Sequence, residues 1–183
     1  MTNYPFSPPQ IAVVPTTDGM QFPVRRIFCI GKNYADHVRE MGGTPETTPP
    51  VFFTKSADAV ICPTGDSPWV DYPPATNNLH YEAEIVLALK SGGRDIQEVE
   101  AMTHVYGMAM GCDLTRRDLQ ALAREKRGPW DVAKAFDQGA VISPIQPGNT
   151  LGGDVAFSLS VNGQTRQQTI VAKMIYPAPR IVA

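Results

Sequence analysis

From Leu79 to Lys90 the chain reads LHYEAEIVLALK, an apolar run in which His80, Glu82 and Glu84 fall at every second position. That period predicts a β-strand with Leu79, Tyr81, Ala83, Ile85, Leu87 and Leu89 on one face and His80, Glu82, Glu84 and Val86 on the other. Both glutamates then point the same way, from Cα atoms roughly 7 Å apart.

Elsewhere the pattern predicts short elements. Residues 1–23 form a proline-rich, irregular arm around one strand, Ile11 to Val14. VRRIFCIG (24–31) is a strand ended by Gly31, and NYADHVREMGG (33–43) a helix with Asn33 as cap and Gly42 and Gly43 as its stop. VFFTKSADAVICPTGD (51–66) is strand, turn and strand, closing in a Pro-Thr-Gly-Asp turn. HVYGMAMGCD (104–113) is a strand thinned by Gly107 and Gly111. TRRDLQALAREKRG (115–128) is a helix with Thr115 and Asp118 as a capping box, Leu119, Leu122 and Ala123 on one face, and Gly128-Pro129 as its stop. Asn162-Gly163 between alternating segments predicts a tight hairpin. The sum is a single β-rich α+β domain over residues 1–183.

Composition agrees, with 15 glycines and 17 prolines favouring turns over long helices. A net charge of -2, with one basic cluster at 116–127 interrupted by Asp118 and Glu125, argues against a nucleic-acid or membrane-surface partner. Three scattered cysteines without a C-x-x-C pair are expected to be reduced thiols. MTNYPFSPPQ lacks the charge and apolar stretch of a signal peptide, and no apolar run reaches the roughly 18 residues of a membrane span. The expectation is a soluble, cytoplasmic protein.

Two carboxylates buried on one face repel unless one is protonated or a cation lies between them. A hard ion such as Mg²⁺ or Mn²⁺ meets that need, and a solvent-exposed face meets it equally well. Asp113, ending a strand before a helix, is a third oxygen donor or a simple strand terminator. His37 and Glu40 are three apart on the expected helix, the arrangement of a general base held by a carboxylate or of a surface pair. Lys134, in the apolar string WDVAKAFD, is placed to stabilise an oxyanion or to snorkel to solvent. There is no G-x-S-x-G, H-E-x-x-H, P-loop or G-x-G-x-x-G, which removes support for serine hydrolase, zincin, NTPase and Rossmann chemistry.

Together RRIFCIGKNYADHVREMG, PPVFFTKSADAV, YPPATNNLHYEAEIVLAL, GCDLTRRDLQ, RGPWDVAKAFDQGAV and LSVNGQTRQQ resemble the fumarylacetoacetate hydrolase family, in its acylpyruvate-cleaving branch, from about residue 22 onward. The resemblance implies a mixed β-roll with a few peripheral helices, usually a homodimer, and Mg²⁺ or Mn²⁺ held by Glu82, Glu84 and Asp113. It implies His37 and Glu40 as the water-activating dyad, Lys134 as the active-site lysine, and Arg117 and Gln120 as substrate contacts.

The implied reaction is hydrolysis of the carbon-carbon bond of a 2,4-diketo acid, most closely fumarylpyruvate to fumarate and pyruvate, in aromatic-compound catabolism. An oxaloacetate decarboxylase of the same family is the alternative, and a non-catalytic β-rich metal-binding module or an inactive truncated homologue is an alternative of another class. Family members continue into a Thr-Gly-Thr-Pro segment, and the expectation is that this chain ends before it, with its C-terminal part missing.

Overall fold

Short runs of branched and aromatic residues, broken by glycine and proline, can pair only a few residues at a time. The computed structural model, which describes residues 3–35, 39, 44, 49–63 and 69–183, is accordingly built from short strands. In chain order these are β1 (Val13–Pro15), β2 (Gln21–Pro23), β3 (Ile27–Gly31), β4 (Val51–Lys55) and β5 (Val60–Ile61). Then come β6 (Leu79–His80), β7 (Ala83–Leu89), β8 (Val105–Asp113) and β9 (Thr115–Arg116). The last are β10 (Ala140–Ile142), β11 (Gln146–Pro147), β12 (Ala156–Val161) and β13 (Gln164–Ile170). Among the described residues the α-helices are α1 (Glu98–Ala101), α2 (Arg117–Glu125), α3 (Asp131–Lys134) and α4 (Ala178–Val182). The expected α+β architecture of mixed sheets and few helices is present.

The spine is β8. It pairs antiparallel with β7 along one edge and with β10 and β11 along the other, and β5 adds to β10 in parallel. Its glycines permit the close approach: a Cβ on Gly107 would meet the Gln146 carbonyl oxygen at 2.5 Å and Ile145 Cγ2 at 2.6 Å. Val14, Ala88, Ala109, Ile142 and Ile145 form the core over this sheet, with Phe22 and Tyr106 packed against them.

Several sequence expectations are redrawn by these contacts. The N-terminal strand is Val13–Pro15, and it pairs with β2 because Val14, 1% exposed, is drawn into the core. The run from Leu79 is two strands: β6 pairs with β9, and after Tyr81 and Glu82 the chain resumes as β7 against β8. Thr115 and Asp118 form no capping box. Thr115 is the fully buried start of β9, while Asp118 accepts hydrogen bonds from Thr76 Oγ1 at 2.6 Å and from the N–H of Asn77 at 3.0 Å, tying α2 to the preceding loop. On α2 the buried residue is Gln120, and Leu122 is exposed. Asn33 exchanges hydrogen bonds with the backbone of Tyr176, at 3.0 and 2.8 Å. The Asn162-Gly163 hairpin forms as expected, with both residues at positive φ between β12 and β13. The expected helix over 33–43 and the turn at 63–66 lie largely outside the described residues.

Candidate metal centre and active site

Pairing of β7 with β8 sets the register of the acids. Ala83 lies opposite Cys112 and Glu84 opposite Gly111, and one step on the Asp113 N–H donates to the Glu82 carbonyl at 2.8 Å. The other end of that same peptide is also held, since the Ala83 N–H donates to Gln167 Oε1 of β13 at 2.7 Å.

Lys134 reaches this point from α3 with its side chain 3% exposed. Its ammonium donates to Glu82 Oε2 at 2.8 Å, Asp113 Oδ2 at 2.7 Å and Thr115 Oγ1 at 2.6 Å, and lies 4.8 Å from the centre of the Phe53 ring. The expected alternative, a lysine snorkelling to solvent, is thereby removed. Arg117 completes the surround of Glu82: one arm of its guanidinium donates to Glu82 Oε1 and another to Gln120 Oε1.

A second buried lysine, which the sequence expectations did not single out, faces the same carboxylate. Lys55 at the end of β4 donates to the carbonyls of Leu114 at 3.0 Å and Lys134 at 2.5 Å, and its Nζ is 2.9 Å from Asp113 Oδ1. That last contact is a charge contact without hydrogen-bond alignment. The signal was present in VFFTK, where strand alternation puts Lys55 on the inward face with Val51 and Phe53. Thr115 and Gln167 were also missed, because a neutral side chain turned toward the site looks like any strand residue.

Charge is unevenly shared among the acids. Burial opposes ionisation of Glu82, but Lys134 and Arg117 outweigh it and bring the carboxyl down to about 2. Glu84 is different: burial, with the charges of Asp113 and Glu82 added, pushes it up to about 8 against a smaller opposing pull from Lys134. Burial alone would lower Lys134, but Asp113 and Glu82 reverse the sign and raise it.

A divalent cation fits this donor set. The candidate donors are oxygens from three acids on adjoining backbone, Glu84 receives no hydrogen bond among the described residues, and Asp113 Oδ1 is buried without one. Among the described residues no three acidic, histidine or cysteine side chains close into a single cage; the Lys134 ammonium is the cation lying between Glu82 and Asp113. A cavity of about 400 Å³ opens beside Lys134, walled by Val51, Phe53, Pro129, Trp130 and Asp131. His37 and Glu40 lie outside the described residues.

Residues 26–183 match the family model for the fumarylacetoacetate (FAA) hydrolase C-terminal region. A fumarylpyruvate hydrolase from Ralstonia sp is 43% identical over 136 residues, 72% of this chain and 68% of the relative. Oxaloacetate tautomerase YcgM of Escherichia coli strain K12 is 33% identical over 168 residues, 90% of this chain and 74% of the relative. Among solved structures, the fumarylpyruvate hydrolase of Pseudomonas aeruginosa in complex with Mn²⁺ and pyruvate superposes with a TM-score of 0.93 at 43% identity, covering 98% of this chain and 79% of its own.

Proposed function

The chain belongs to the fumarylacetoacetate hydrolase family, and on that footing we propose that it is a divalent-metal-dependent hydrolase of acylpyruvates, with fumarylpyruvate as its substrate. The observation that carries this proposal is the meeting of Glu82, Asp113 and Lys134, with carboxylate oxygens of both acids within 2.8 Å of one ammonium in a nearly dry setting. The Mn²⁺ and pyruvate of the Pseudomonas aeruginosa relative support both the metal and the product.

Glu82, Glu84 and Asp113 would hold the ion. A divalent ion there supplies Lewis acidity toward the keto and carboxylate oxygens of a 2,4-diketo acid. To serve as a ligand Glu84 would give up the proton that its buried site favours, which would couple metal uptake to proton release. Arg117 and Gln120, side by side on one turn of α2, orient the substrate's polar groups. His37, held by Glu40, takes a proton from the water that attacks the distal carbonyl; the dyad is proposed from the ADHVRE motif and its three-residue spacing. Lys134, already ionised by its acid neighbours, donates to the oxyanion formed by that attack. Collapse of the oxyanion to a carboxylic acid breaks the carbon-carbon bond, and its electron pair leaves on the pyruvate enolate, which takes up the proton held by His37.

Pyruvate release from fumarylpyruvate, titrated with Mg²⁺ or Mn²⁺, tests the proposal against the Glu82→Gln variant. Loss of both turnover and ion dependence in the variant is expected. A variant that hydrolyses the substrate at the native rate would refute it, and a native protein that binds the ion without releasing pyruvate would point to a binding module.

A second reading is favoured by the tautomerase relatives, whose similarity extends over 90% of this chain in one case. It uses the same acids on oxaloacetate and needs no attacking water. Parallel assays with oxaloacetate and fumarylpyruvate separate the two.

A further inference from the structure

β7, which carries Glu84 and follows directly on Glu82, has an edge that no strand covers among the described residues. Among the described residues β7 pairs with β8 alone, so the N–H groups on its far side need another acceptor. At Ala83 that acceptor is a side chain, Gln167 Oε1, at 2.7 Å and 84 positions along the chain. Ala83 itself is buried, and Gln167 is part-buried on the hairpin strand β13, opposite Leu159.

The bond falls on the one peptide plane that joins Glu82 to Ala83. Its carbonyl accepts from the Asp113 N–H at 2.8 Å, and its N–H donates to Gln167. Rotation of this plane would re-aim the Cα–Cβ directions of Glu82 before it and, through Ala83, of Glu84 after it. It lies where β6 has ended and β7 is just beginning, so ladder bonds do not hold it from both sides. Gln167 is thus the clamp on the N–H side of this plane, opposite the Asp113 bond on its carbonyl side.

We infer that Gln167 is a positioning residue for Glu82 and Glu84, fixing their separation for a divalent ion without touching ion or substrate. This rests on the metal assignment proposed above. Its side-chain oxygen suits the task, because it reaches across from β13 to accept the hydrogen bond that no neighbouring strand supplies at Ala83. The hairpin is thus part of the metal site's scaffold.

The test is Mn²⁺ affinity, read by electron paramagnetic resonance, alongside hydrogen exchange at the Ala83 amide in the metal-free protein. Gln167→Met keeps the length of the side chain and removes the amide acceptor. It is expected to bind Mn²⁺ at least about 10-fold more weakly, as loss of a partner behind the ligands does, with faster exchange at Ala83. Gln167→Glu keeps an acceptor oxygen and is expected to retain both Mn²⁺ binding and Ala83 protection. Leu159→Ala, which loosens the hairpin and leaves the acceptor, is expected to lower the melting temperature without moving Mn²⁺ affinity.

Native-like Mn²⁺ binding by Gln167→Met overturns the inference, as does an equal loss of affinity in Leu159→Ala. If Gln167→Met does not fold, Gln167→Glu decides: lost affinity with Ala83 still protected overturns it, and retention of both supports it. Failure of the native protein to bind Mn²⁺ sinks the metal assignment instead, and the inference with it.

Discussion

Asp113 and Lys134 are joined at 2.7 Å, and the other oxygen of the same carboxylate lies 2.9 Å from Lys55. One acid thus stands between two buried ammonium groups, with an exposure of 10% for its own side chain. Each cation here serves a different end, and substitution separates them.

Lys134→Met removes both the oxyanion donor and the cation lying between Glu82 and Asp113. Pyruvate release is expected to fall about 100- to 1,000-fold, the usual effect of losing a preorganised donor. Mn²⁺ affinity should hold or rise, since the ammonium no longer competes for the same carboxylates. Steady-state assays and Mn²⁺ titration on one preparation measure both.

Lys55→Met leaves the charge contact of Asp113 Oδ1 and the carbonyls of Leu114 and Lys134 without their cation. Removing one partner of a buried pair costs roughly 3–5 kcal/mol. Urea unfolding of the metal-free protein should show a lowered midpoint with little change in slope.

The two glutamates set opposite pH dependences in the metal-free protein. Glu82, down at about 2 when folded and near 4.5 when unfolded, adds stability above pH 4.5 that is lost as pH falls toward 2. Glu84, up at about 8, holds a proton in the fold that the unfolded chain has released, so stability falls as pH rises from 4.5 to 8. The slope per group is on the order of 1 kcal/mol per pH unit. Thermal melts from pH 3 to 9 should peak close to pH 4.5 to 5 from these two groups, and added Mn²⁺ should raise the melting temperature more at pH 8 than at pH 5.

Gly107→Ala forces a methyl group to within 2.5 Å of the Gln146 carbonyl oxygen, which is backbone and cannot swing away. Overpacking of this kind costs about 1–3 kcal/mol. Calorimetry should register a lowered melting temperature.

Alternation was enough to place Glu84 on a strand, while Glu82 falls in the break just before it, and the glycine-thinned run ending in Asp113 was legible as the neighbouring strand. The partnership between them was not, because pairing register depends on which strands meet. The same limit applies to Lys55 and Gln167, whose roles arise from contacts 58 and 84 positions away, at Asp113 and Ala83. On α2, the apolar positions Leu119, Leu122 and Ala123 were visible while the burial of Gln120 beside Arg117 was not: Leu122 is exposed, and the site draws in the polar side. The capping box failed for a related reason, since Thr115 is committed to Lys134 and Asp118 to Thr76.

The hydrogen bond between Ala83 and Gln167 also sets a clock on the ribosome. At roughly 5–20 residues per second, the 84 positions between them take about 4 to 17 s to emerge. For that interval the Ala83 N–H lacks its acceptor, one more open group on an edge available to strands of other nascent chains. Two acids, Glu82 and Glu84, set at the start of that edge, act as gatekeepers there.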